Sequence, residues 1–393
     1  MKSRVGTDMW YTAKIAADRI NENGGIKVGN TVYKIELIKK DTNEYVSIFD
    51  AAAVAEEAIL LDKVDFLIGG NRLEAVQAIR EKAMDHKKIY ISATYTTPDE
   101  LVTPLKRNYE RYKYWFSIGG GTYSNETARN YVDLIKTVAG AVRNETGIQK
   151  VKIAVLFERR ADDTVFNLQM GEFQKDPGIE IVGIWRPSPT AADLRSELTA
   201  IQATKAHILY AVFSGVAGTV LGKQFKELKI PMLLAGSPGS LVGDAQVPYQ
   251  IVMLLFGSEE LEDMGAFLKE YRSLAGPGVE SPVATLYEGV WTLAQAIELA
   301  GTTEPGAVIK ALETGSFKTL YGGKWKDRGD HTFRFEPGWE PACAGQWIPS
   351  DGGFVLPRPI VWVNPSGYLM AEKITVQNIT IPQSLKSAWL TQS

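Results

Sequence analysis

Cysteine and histidine are nearly absent from this chain of 393 residues. The single cysteine, Cys343, excludes a disulfide within the chain, and nothing near it in sequence indicates a nucleophile, so we expect it to be a small packing residue. The three histidines, His86, His207 and His331, lie far apart and form no local metal-binding pattern. We therefore expect neither a metal site nor a bound cofactor.

Long apolar runs and long basic runs are missing as well. No stretch approaches the roughly 20 apolar residues that a transmembrane helix needs, so we expect contact with a membrane only through an anchor or a membrane partner. The net charge of −3 argues against nucleic acid or an anionic membrane surface as a partner. The opening "MKSRVGTDMW" has no apolar core and does not read as a signal peptide.

What the sequence does contain is two runs of alternating strand-like and helix-like segments. The second run includes the strand-like stretches "KVKIAVLFE", "AHILYAVF" and "IPMLLAG". Strands separated by helix-length segments indicate βαβ crossovers and parallel sheets. We therefore predict an α/β protein with two doubly wound parallel-sheet lobes, for which the chain is long enough.

Local signals predict individual elements. "DMWYTAKIAADRINENGG" is typical of a helix that ends at its glycine pair, and "SIFDAAAVAEEAILL" of a helix capped by Ser47. "VYKIELIKKD" alternates like a strand. The tail from Lys324 is rich in Gly, Pro and Trp and predicts short antiparallel strands, with a hairpin turn at Asp327–Asp330.

Open parallel sheets bind their ligands at the carboxyl ends of the strands. Those ends read "GGNRLEA" and "SATYTTP" in the first run, and "FERRADD", "FSG" and "AGSPGS" in the second. Their small, hydroxyl-bearing and aromatic residues suit a small polar ligand. The candidate ligand-binding residues are Asn71, Glu74, Ala75, Thr94, Tyr95, Thr96, Arg159, Asp162, Phe213, Ser214 and Ser237.

Several candidates have a second interpretation. Thr96 and Thr97 can cap the helix that follows Pro98, and the charges of "RRADD" can be solvated, although an arginine there would suit a ligand carboxylate. Tyr95 and Phe213 are expected to sandwich an apolar part of the ligand. We find no Gly-x-Gly-x-x-Gly fingerprint and no Ser/His/Asp or Cys/His set, so we predict no catalytic residue.

The order of these segments resembles the branched-chain amino-acid binding proteins, which are type I periplasmic substrate-binding proteins of ABC importers. The likeness rests on "AKIAADRINENGGIKVGN", "IYISATYTTPDEL", "GKQFKELKIPMLLAGSPGS" and the block from Ala284 to Asp330. The resemblance implies two lobes joined by three crossings, near Phe116–Gly119, Phe256–Glu259 and Tyr321–Gly323. It also implies that the lobes close on a ligand and then dock on a membrane permease.

The resemblance further implies lobe boundaries and a location. We expect an N-terminal lobe of residues 1–117 and 258–321, a C-terminal lobe of residues 118–257 and 322–370, and a tail of residues 371–393. The first run begins with a helix, whereas a doubly wound unit opens with a strand. We therefore expect an upstream first strand, a signal peptide before it, and an extracytoplasmic location in the periplasm or at the cell surface.

The candidate site departs from the amino-acid binders. "NRLEA" stands where their Ser-rich loop holds the ligand carboxylate, which Glu74 would repel if it faced the cleft. "AGSPGS" offers no acid for an α-ammonium group, and "ERRADD" replaces their Asp-x-x-Tyr-Gly loop. We therefore expect a ligand other than a standard α-amino acid: an amide, a polyol, an aromatic acid, or a cation read by Glu74.

The leading interpretation is a monomeric binding protein that captures a small polar metabolite between two lobes and delivers it to an ABC permease. One alternative is a ligand-sensing regulator or receptor of the same fold, similar to the amide sensors. The other is an enzyme with two α/β lobes, such as a dehydrogenase, against which the missing dinucleotide fingerprint argues.

Overall fold

The structure is a computed structural model of the chain. It describes residues 4–93, 99–118, 124–160, 163–213, 216–237, 245–254, 262–275, 285–320, 324–336, 343–349, 355–360 and 379–391. The protein is of the α/β class, as predicted. None of the described helices is both long and apolar enough to span a membrane.

The helices, in chain order, are α1 (Arg4–Glu22), α2 (Ile48–Leu60), α3 (Leu73–Asp85), α4 (Asp99–Arg107), α5 (Tyr109–Tyr112), α6 (Ser124–Thr146), α7 (Thr164–Gln174), α8 (Arg195–Ala203), α9 (Ala217–Glu227), α10 (Glu262–Ala275), α11 (Thr285–Ala300), α12 (Pro305–Thr314) and α13 (Gln383–Leu390). The strands are β1 (Ile26–Val28), β2 (Thr31–Tyr33), β3 (Phe66–Gly69), β4 (Ile89–Ser92), β5 (Trp115–Ser117), β6 (Val151–Phe157), β7 (Ile179–Trp185), β8 (Ile208–Val212), β9 (Leu233–Ser237), β10 (Ile251–Leu254), β11 (Phe317–Lys318), β12 (Lys324–Asp327), β13 (Phe333–Glu336), β14 (Cys343–Pro349) and β15 (Val355–Ile360).

The chain divides into two compact units, each made of discontinuous segments. The first unit comprises Met1–Ser124, Glu259–Ala275 and Pro282–Glu340. The second unit comprises Asn125–Ser258, Gly276–Ser281 and Pro341–Ser393.

The two units differ from the sequence-based boundaries at several places, most clearly at residues 324–336, which belong to the first unit, and at residues 379–391, which belong to the second unit instead of forming a separate tail. Strand β12 pairs antiparallel with β11 and with β13. The Trp325 indole Nε1 donates to Thr292 Oγ1 on α11 at 2.9 Å, and Ser117 N at the end of β5 donates to His331 O at 2.8 Å. These bonds tie the β12–β13 hairpin to the first unit.

The first unit contains a parallel sheet in the order β3-β4-β5. Helix α11 lies close against one face of this sheet, where a Cβ atom placed on Gly289 would lie 3.3 Å from Ile68 Cγ2. Helices α2, α3 and α4 contribute the apolar residues of another cluster, which includes Tyr90 and Trp115. The sheet is therefore covered by helices, as a parallel sheet requires.

The strand predicted for "VYKIELIKKD" is wrong over most of its length, since only Val32 and Tyr33 lie in a strand and residues 34–43 form none. A strand needs a neighbour for its backbone groups, and here a side chain takes that role. The Asn21 amide accepts from Ile35 N at 2.8 Å and donates to Ile35 O at 2.9 Å. In the described part of the chain β3 pairs with β4 alone, and the expected upstream strand stays a prediction.

Three local predictions are confirmed. Helix α1 ends at the predicted glycine pair, where Gly25 N donates to Ile20 O at 2.8 Å and both glycines have positive φ. The hydroxyl of Ser47 caps α2 by accepting from Asp50 N. The segment Asp327–Asp330 turns the β12–β13 hairpin, with Gly329 at φ +88°.

The second unit is built on a seven-stranded sheet in the order β15-β14-β10-β9-β8-β6-β7. The five strands from β10 to β7 are parallel, whereas β14 and β15 add antiparallel. Apolar clusters lie on the two faces of this sheet, so β6 and β8 are buried on both. The doubly wound second unit and the antiparallel tail strands agree with the sequence-based prediction.

The C-terminal helix α13 completes the core of the second unit. Trp389 is fully buried among the residues of one sheet face, together with Ile379 and Ile381. Its indole Nε1 donates to Pro231 O at 2.9 Å, and its ring meets the His207 ring edge-on. Burial lowers the pKa of His207 to about 4, which keeps the imidazole neutral against the indole.

A buried carboxyl group lies beneath the sheet of the first unit. Glu288 of α11 accepts from Leu320 N at 2.7 Å through Oε1, while its Oε2 has no hydrogen-bond partner among the described residues. Burial raises the pKa of Glu288 from 4.5 to about 8, so the group is protonated at neutral pH. A neutral carboxyl avoids the cost of an unpaired buried charge.

Replacing Trp389 with Ala is expected to lower the free energy of unfolding by about 3–5 kcal/mol, because it removes a large fully buried side chain. Trp389→Phe keeps most of the apolar contact and loses the bond to Pro231, which costs about 1 kcal/mol. Urea unfolding followed by circular dichroism measures both. Leu390→Ala, at a side chain that is 51% exposed, is the control and should change little. Equal losses at positions 389 and 390 would contradict the packing described.

The stability contribution of Glu288 is expected to depend on pH. The folded-state pKa lies above the ordinary value of 4.5, so folding retains a proton that the unfolded chain releases, and stability falls as pH rises from 4.5 to about 8. Glu288→Gln stays neutral and should therefore become more stable than the wild type by about 1 kcal/mol per pH unit in this window. Urea unfolding at pH 5, 6, 7 and 8 tests this. A difference that does not grow with pH would refute it.

Candidate functional site

The carboxyl end of β3 brings two of the predicted residues together. Asn71 is buried, its backbone N–H donates to both carboxylate oxygens of Glu44 at 3.2 Å, and its Nδ2 donates to the Tyr45 hydroxyl at 2.9 Å. The side-chain oxygen Oδ1 is buried without a hydrogen-bond partner among the described residues. Burial raises the pKa of Glu44, and the N–H groups of Asn71 and Arg72 partly offset that rise.

A glycine allows this turn. Gly70 has φ +76°, and a Cβ atom there would lie 2.7 Å from the Tyr90 hydroxyl, which donates to Gly69 O at 2.9 Å. Any side chain at position 70 would therefore displace Tyr90 and the end of β3. The glycine sets the direction in which the chain enters α3.

Glu74 is not an isolated acid. It lies in the first turn of α3, 3.7 Å from the Nε of Arg72, and the Arg72 guanidinium lies over the Tyr45 ring with its Cζ 5.7 Å from the ring centroid. Both side chains are partly exposed. The methyl group of Ala75, by contrast, is fully buried in the core of the first unit. Arg72, the cationic neighbour of Glu74, was not among the site residues predicted from the sequence.

The candidates after β4 lie outside the described residues, which include Ala93 and resume at Asp99. Thr94, Tyr95 and Thr96 therefore stay predictions. The hydroxyl group that ends β4 has a structural role, since Ser92 Oγ accepts from Trp115 Nε1 at 3.1 Å and donates to Phe116 O at 3.3 Å. The acidic first turn of α4 follows.

In the second unit, the chain leaves β6 through a buried ion pair. Glu158 has no exposed surface, and Arg160 Nε lies 3.1 Å from its Oε1. The backbone is held on both sides, because Glu158 N donates to Val212 O and Arg159 N donates to Pro187 O. The side chain of Arg159 is exposed. The structure therefore places Arg160, rather than the predicted Arg159, beside the buried acid.

A second arginine holds this loop in place. Arg186, just after β7, donates from Nε to Phe157 O at 2.9 Å and from Nη2 to Glu158 O at 3.3 Å. It also forms a two-pronged ion pair with Asp163 at 2.5 and 3.2 Å, and its Cζ lies 4.1 Å from the Phe166 ring centroid. Bidentate pairs of this kind fix orientation as well as contributing energy. Asp162, a predicted site residue, lies outside the described residues.

The end of β9 adds hydroxyl groups. Ser237 is the last residue of the strand, and its side chain lies close enough to the Tyr131 hydroxyl on α6 to influence the pKa of that group. Burial raises the pKa of Tyr131, whereas Ser237 and the charge of Arg160 lower it. The neighbouring Tyr210 hydroxyl donates to Gln169 Oε1 at 2.8 Å. The Gln169 Nε2 is buried without a partner among the described residues.

Phe213 follows β8 but offers little surface to a ligand. Its ring is 2% exposed and belongs to the apolar cluster that includes Leu209 and Leu221. Its backbone N–H donates to Ser237 O at 2.8 Å. Ser214 lies outside the described residues. In the part of the chain that is described, no group of three His, Cys, Asp or Glu side chains is arranged to hold a metal ion.

Each parallel sheet thus ends in a polar cluster of its own. In the first unit the cluster consists of Glu44, Tyr45, Asn71, Arg72 and Glu74. In the second it consists of Tyr131, Glu158, Arg160, Gln169, Tyr210 and Ser237. Such clusters can hold oxyanions, carbonyl groups or hydroxyl groups of a small molecule. Nothing in them supplies a nucleophile activated by a base, which is what covalent catalysis requires.

Comparison with solved structures shows the same fold in several solute-binding proteins. The substrate-binding protein LivJ from Streptococcus pneumoniae, solved with isoleucine, shares 20% identity at a TM-score of 0.65, covering 89% of this chain and 92% of LivJ. A solute-binding protein from Rhodopseudomonas palustris BisB5, solved with 3,4-dihydroxybenzoic acid, shares 18% identity at a TM-score of 0.68, with 92% and 94% covered. A putative branched-chain amino acid ABC transporter protein from Silicibacter pomeroyi shares 17% identity at a TM-score of 0.69, with 96% and 95% covered.

Among curated protein sequences, none matches this chain significantly. The family model described as "Periplasmic binding protein" matches residues 2–336. That match includes both polar clusters and most of the chain. The chain therefore belongs to the type I periplasmic binding protein family. Its fold is similar to that of the branched-chain amino-acid binding proteins of ABC transporters.

Proposed function

We propose that this protein is the extracytoplasmic solute-binding component of an ABC importer. It captures a small polar metabolite as a monomer and delivers it to a membrane permease, without enzymatic activity of its own. Membership of a solute-binding family supports this role. The polar clusters at the strand ends support it further, because open parallel sheets bind ligands at that edge.

The observation that carries the proposal is the presence of unsatisfied polar atoms in these clusters. Asn71 Oδ1 and Gln169 Nε2 are buried without partners among the described residues. An unpaired buried polar atom costs about 1–3 kcal/mol. A ligand that donates to Asn71 Oδ1 would recover that cost in the first unit, and a ligand that accepts from Gln169 Nε2 would recover it in the second.

The charges in the clusters support a ligand other than a standard α-amino acid. An α-ammonium group is best bound by a carboxylate that has no other partner. In the second unit the carboxylate of Glu158 is already paired with Arg160. In the first unit the Glu44 carboxylate accepts from Asn71 N, and Glu74 lies beside Arg72. The fold itself accommodates other classes, since one similar structure holds 3,4-dihydroxybenzoic acid.

A thermal-shift screen tests the proposal. The set comprises leucine, isoleucine, 3,4-dihydroxybenzoate, primary amides, polyols and polyamines. We expect at least one compound that is not an α-amino acid to raise the melting temperature by about 5–10 °C at a concentration of roughly 100 times its Kd. Tyr95→Ala should abolish the shift, whereas Tyr33→Ala, at an exposed ring in β2, should retain it.

Two results would contradict different parts of the proposal. A large shift with leucine or isoleucine alone would show a standard amino-acid binder, so the ligand class would be wrong. The absence of a shift with every compound, for protein shown to be folded by circular dichroism, would argue against solute capture. Uptake of the labelled ligand by source cells with and without the gene tests delivery to the permease.

A further inference from the structure

One feature of the second unit is not required by solute binding in general: a guanidinium group fixed at the end of β6. Arg160 is held at Nε by Glu158 Oε1, and its Cζ lies 5.4 Å from the centroid of the Phe157 ring. The Glu158 carboxylate is fully buried, whereas a third of the Arg160 side chain is exposed. The Nε of the guanidinium is therefore anchored, while part of the Arg160 side chain is open to solvent.

The Nη1 and Nη2 groups of Arg160 can still donate hydrogen bonds. In the described part of the chain, the Nη1 and Nη2 groups of Arg160 make no hydrogen bond and no ion pair. The loop beneath is rigid, because Arg186 binds the carbonyl oxygens of Phe157 and Glu158. An arginine whose Nε is fixed, and whose plane lies near an aromatic ring, presents its two Nη groups in a set direction.

We infer, on the basis of the proposed function, that Arg160 selects the ligand. It binds a carboxylate group of the ligand through Nη1 and Nη2. Two parallel N–H donors match the two oxygens of a carboxylate, whereas a primary amide offers a single acceptor. The class of ligand is therefore a small organic acid whose carboxylate lies at the edge of the second unit's sheet.

The surroundings suit that group. The charge of Arg160 and the side chain of Ser237 both lower the pKa of Tyr131, and the hydroxyl groups of Tyr131 and Ser237 can donate to a carboxylate oxygen. Glu158 is the positioning residue, because it holds Nε and keeps Arg160 in an ion pair when no ligand is bound. Arg159, whose side chain is exposed, takes no part.

The experiment compares acids with their own amides on the full chain. Melting temperatures and calorimetric affinities are measured for benzoate and benzamide, 3,4-dihydroxybenzoate and 3,4-dihydroxybenzamide, and glutarate and glutaramide. We expect acids to bind and the matched amides to bind at least about 10-fold more weakly, since a charge-assisted bond to the carboxylate is lost.

Variants then identify the residue. Arg160→Gln should weaken the binding of the acid by about 10- to 100-fold, whereas Arg195→Gln, at an exposed arginine paired with Asp193 and Glu227, should not. Because Arg160→Gln removes the cation beside the buried Glu158, Glu158→Gln/Arg160→Gln is included. The double variant should fold stably and still fail to bind the acid. Glu158→Gln alone should retain the preference for acid over amide.

Other outcomes separate this inference from the proposed function. If amides, polyols or polyamines bind as well as acids or better, solute capture stands and the carboxylate assignment is overturned. Unchanged acid binding by Arg160→Gln, or loss of binding by Arg159→Gln instead, also overturns it. If folded wild-type protein responds to no compound in either set, the proposed function fails and this inference fails with it.

Discussion

Parallel strand pairing is the constraint on which the second unit depends. Strands β6 and β8 carry apolar clusters on both faces, and the ion pair of Glu158 with Arg160 is found where β6 ends. Because the strands run in one direction, their carboxyl ends reach the same edge, and Glu158 and Ser237 are brought near each other although 79 positions separate their numbers in the sequence. The polar cluster is therefore a consequence of the way the core is built, and its chemistry is set by a few residues at strand ends.

Three buried or nearly buried carboxyl groups are stabilised in three different ways. Glu158 lies in an ion pair with the guanidinium of Arg160. Glu44 accepts backbone N–H bonds and has a raised pKa. Glu288 takes up a proton, since a pKa of about 8 leaves it neutral under ordinary conditions. The pairing of Glu158 with Arg160 leaves the Nη donors of Arg160 available for a further anion. Glu288, by contrast, is a neutral group that accepts a hydrogen bond from Leu320 N.

Sequence periodicity and capping signals were sufficient for the class of the fold and for elements such as α1, α2 and the β12–β13 hairpin, because these depend on neighbouring residues. They failed for residues 34–43, whose strand character depends on a partner that the described residues do not provide. At the site, strand ends could be located but not side-chain directions. Since β6 is buried on both faces, its sequence has no alternation to show that Arg160 lies beside Glu158 and Arg159 lies outside. Tyr131 and Gln169 come from helices, and no sequence signal linked them to the strand ends.

The discontinuous composition of the two units has a consequence for synthesis on the ribosome. The five parallel strands of the second unit, with their connecting helices, lie in one stretch from Ser124 to Leu254. The first unit, by contrast, needs α11 and the β12–β13 hairpin, which emerge only after that stretch. The half of the chain that is made first therefore has to wait for its last helices, while the later half can form its central sheet during translation. One face of that central sheet is completed only when α13, with Trp389, has been made.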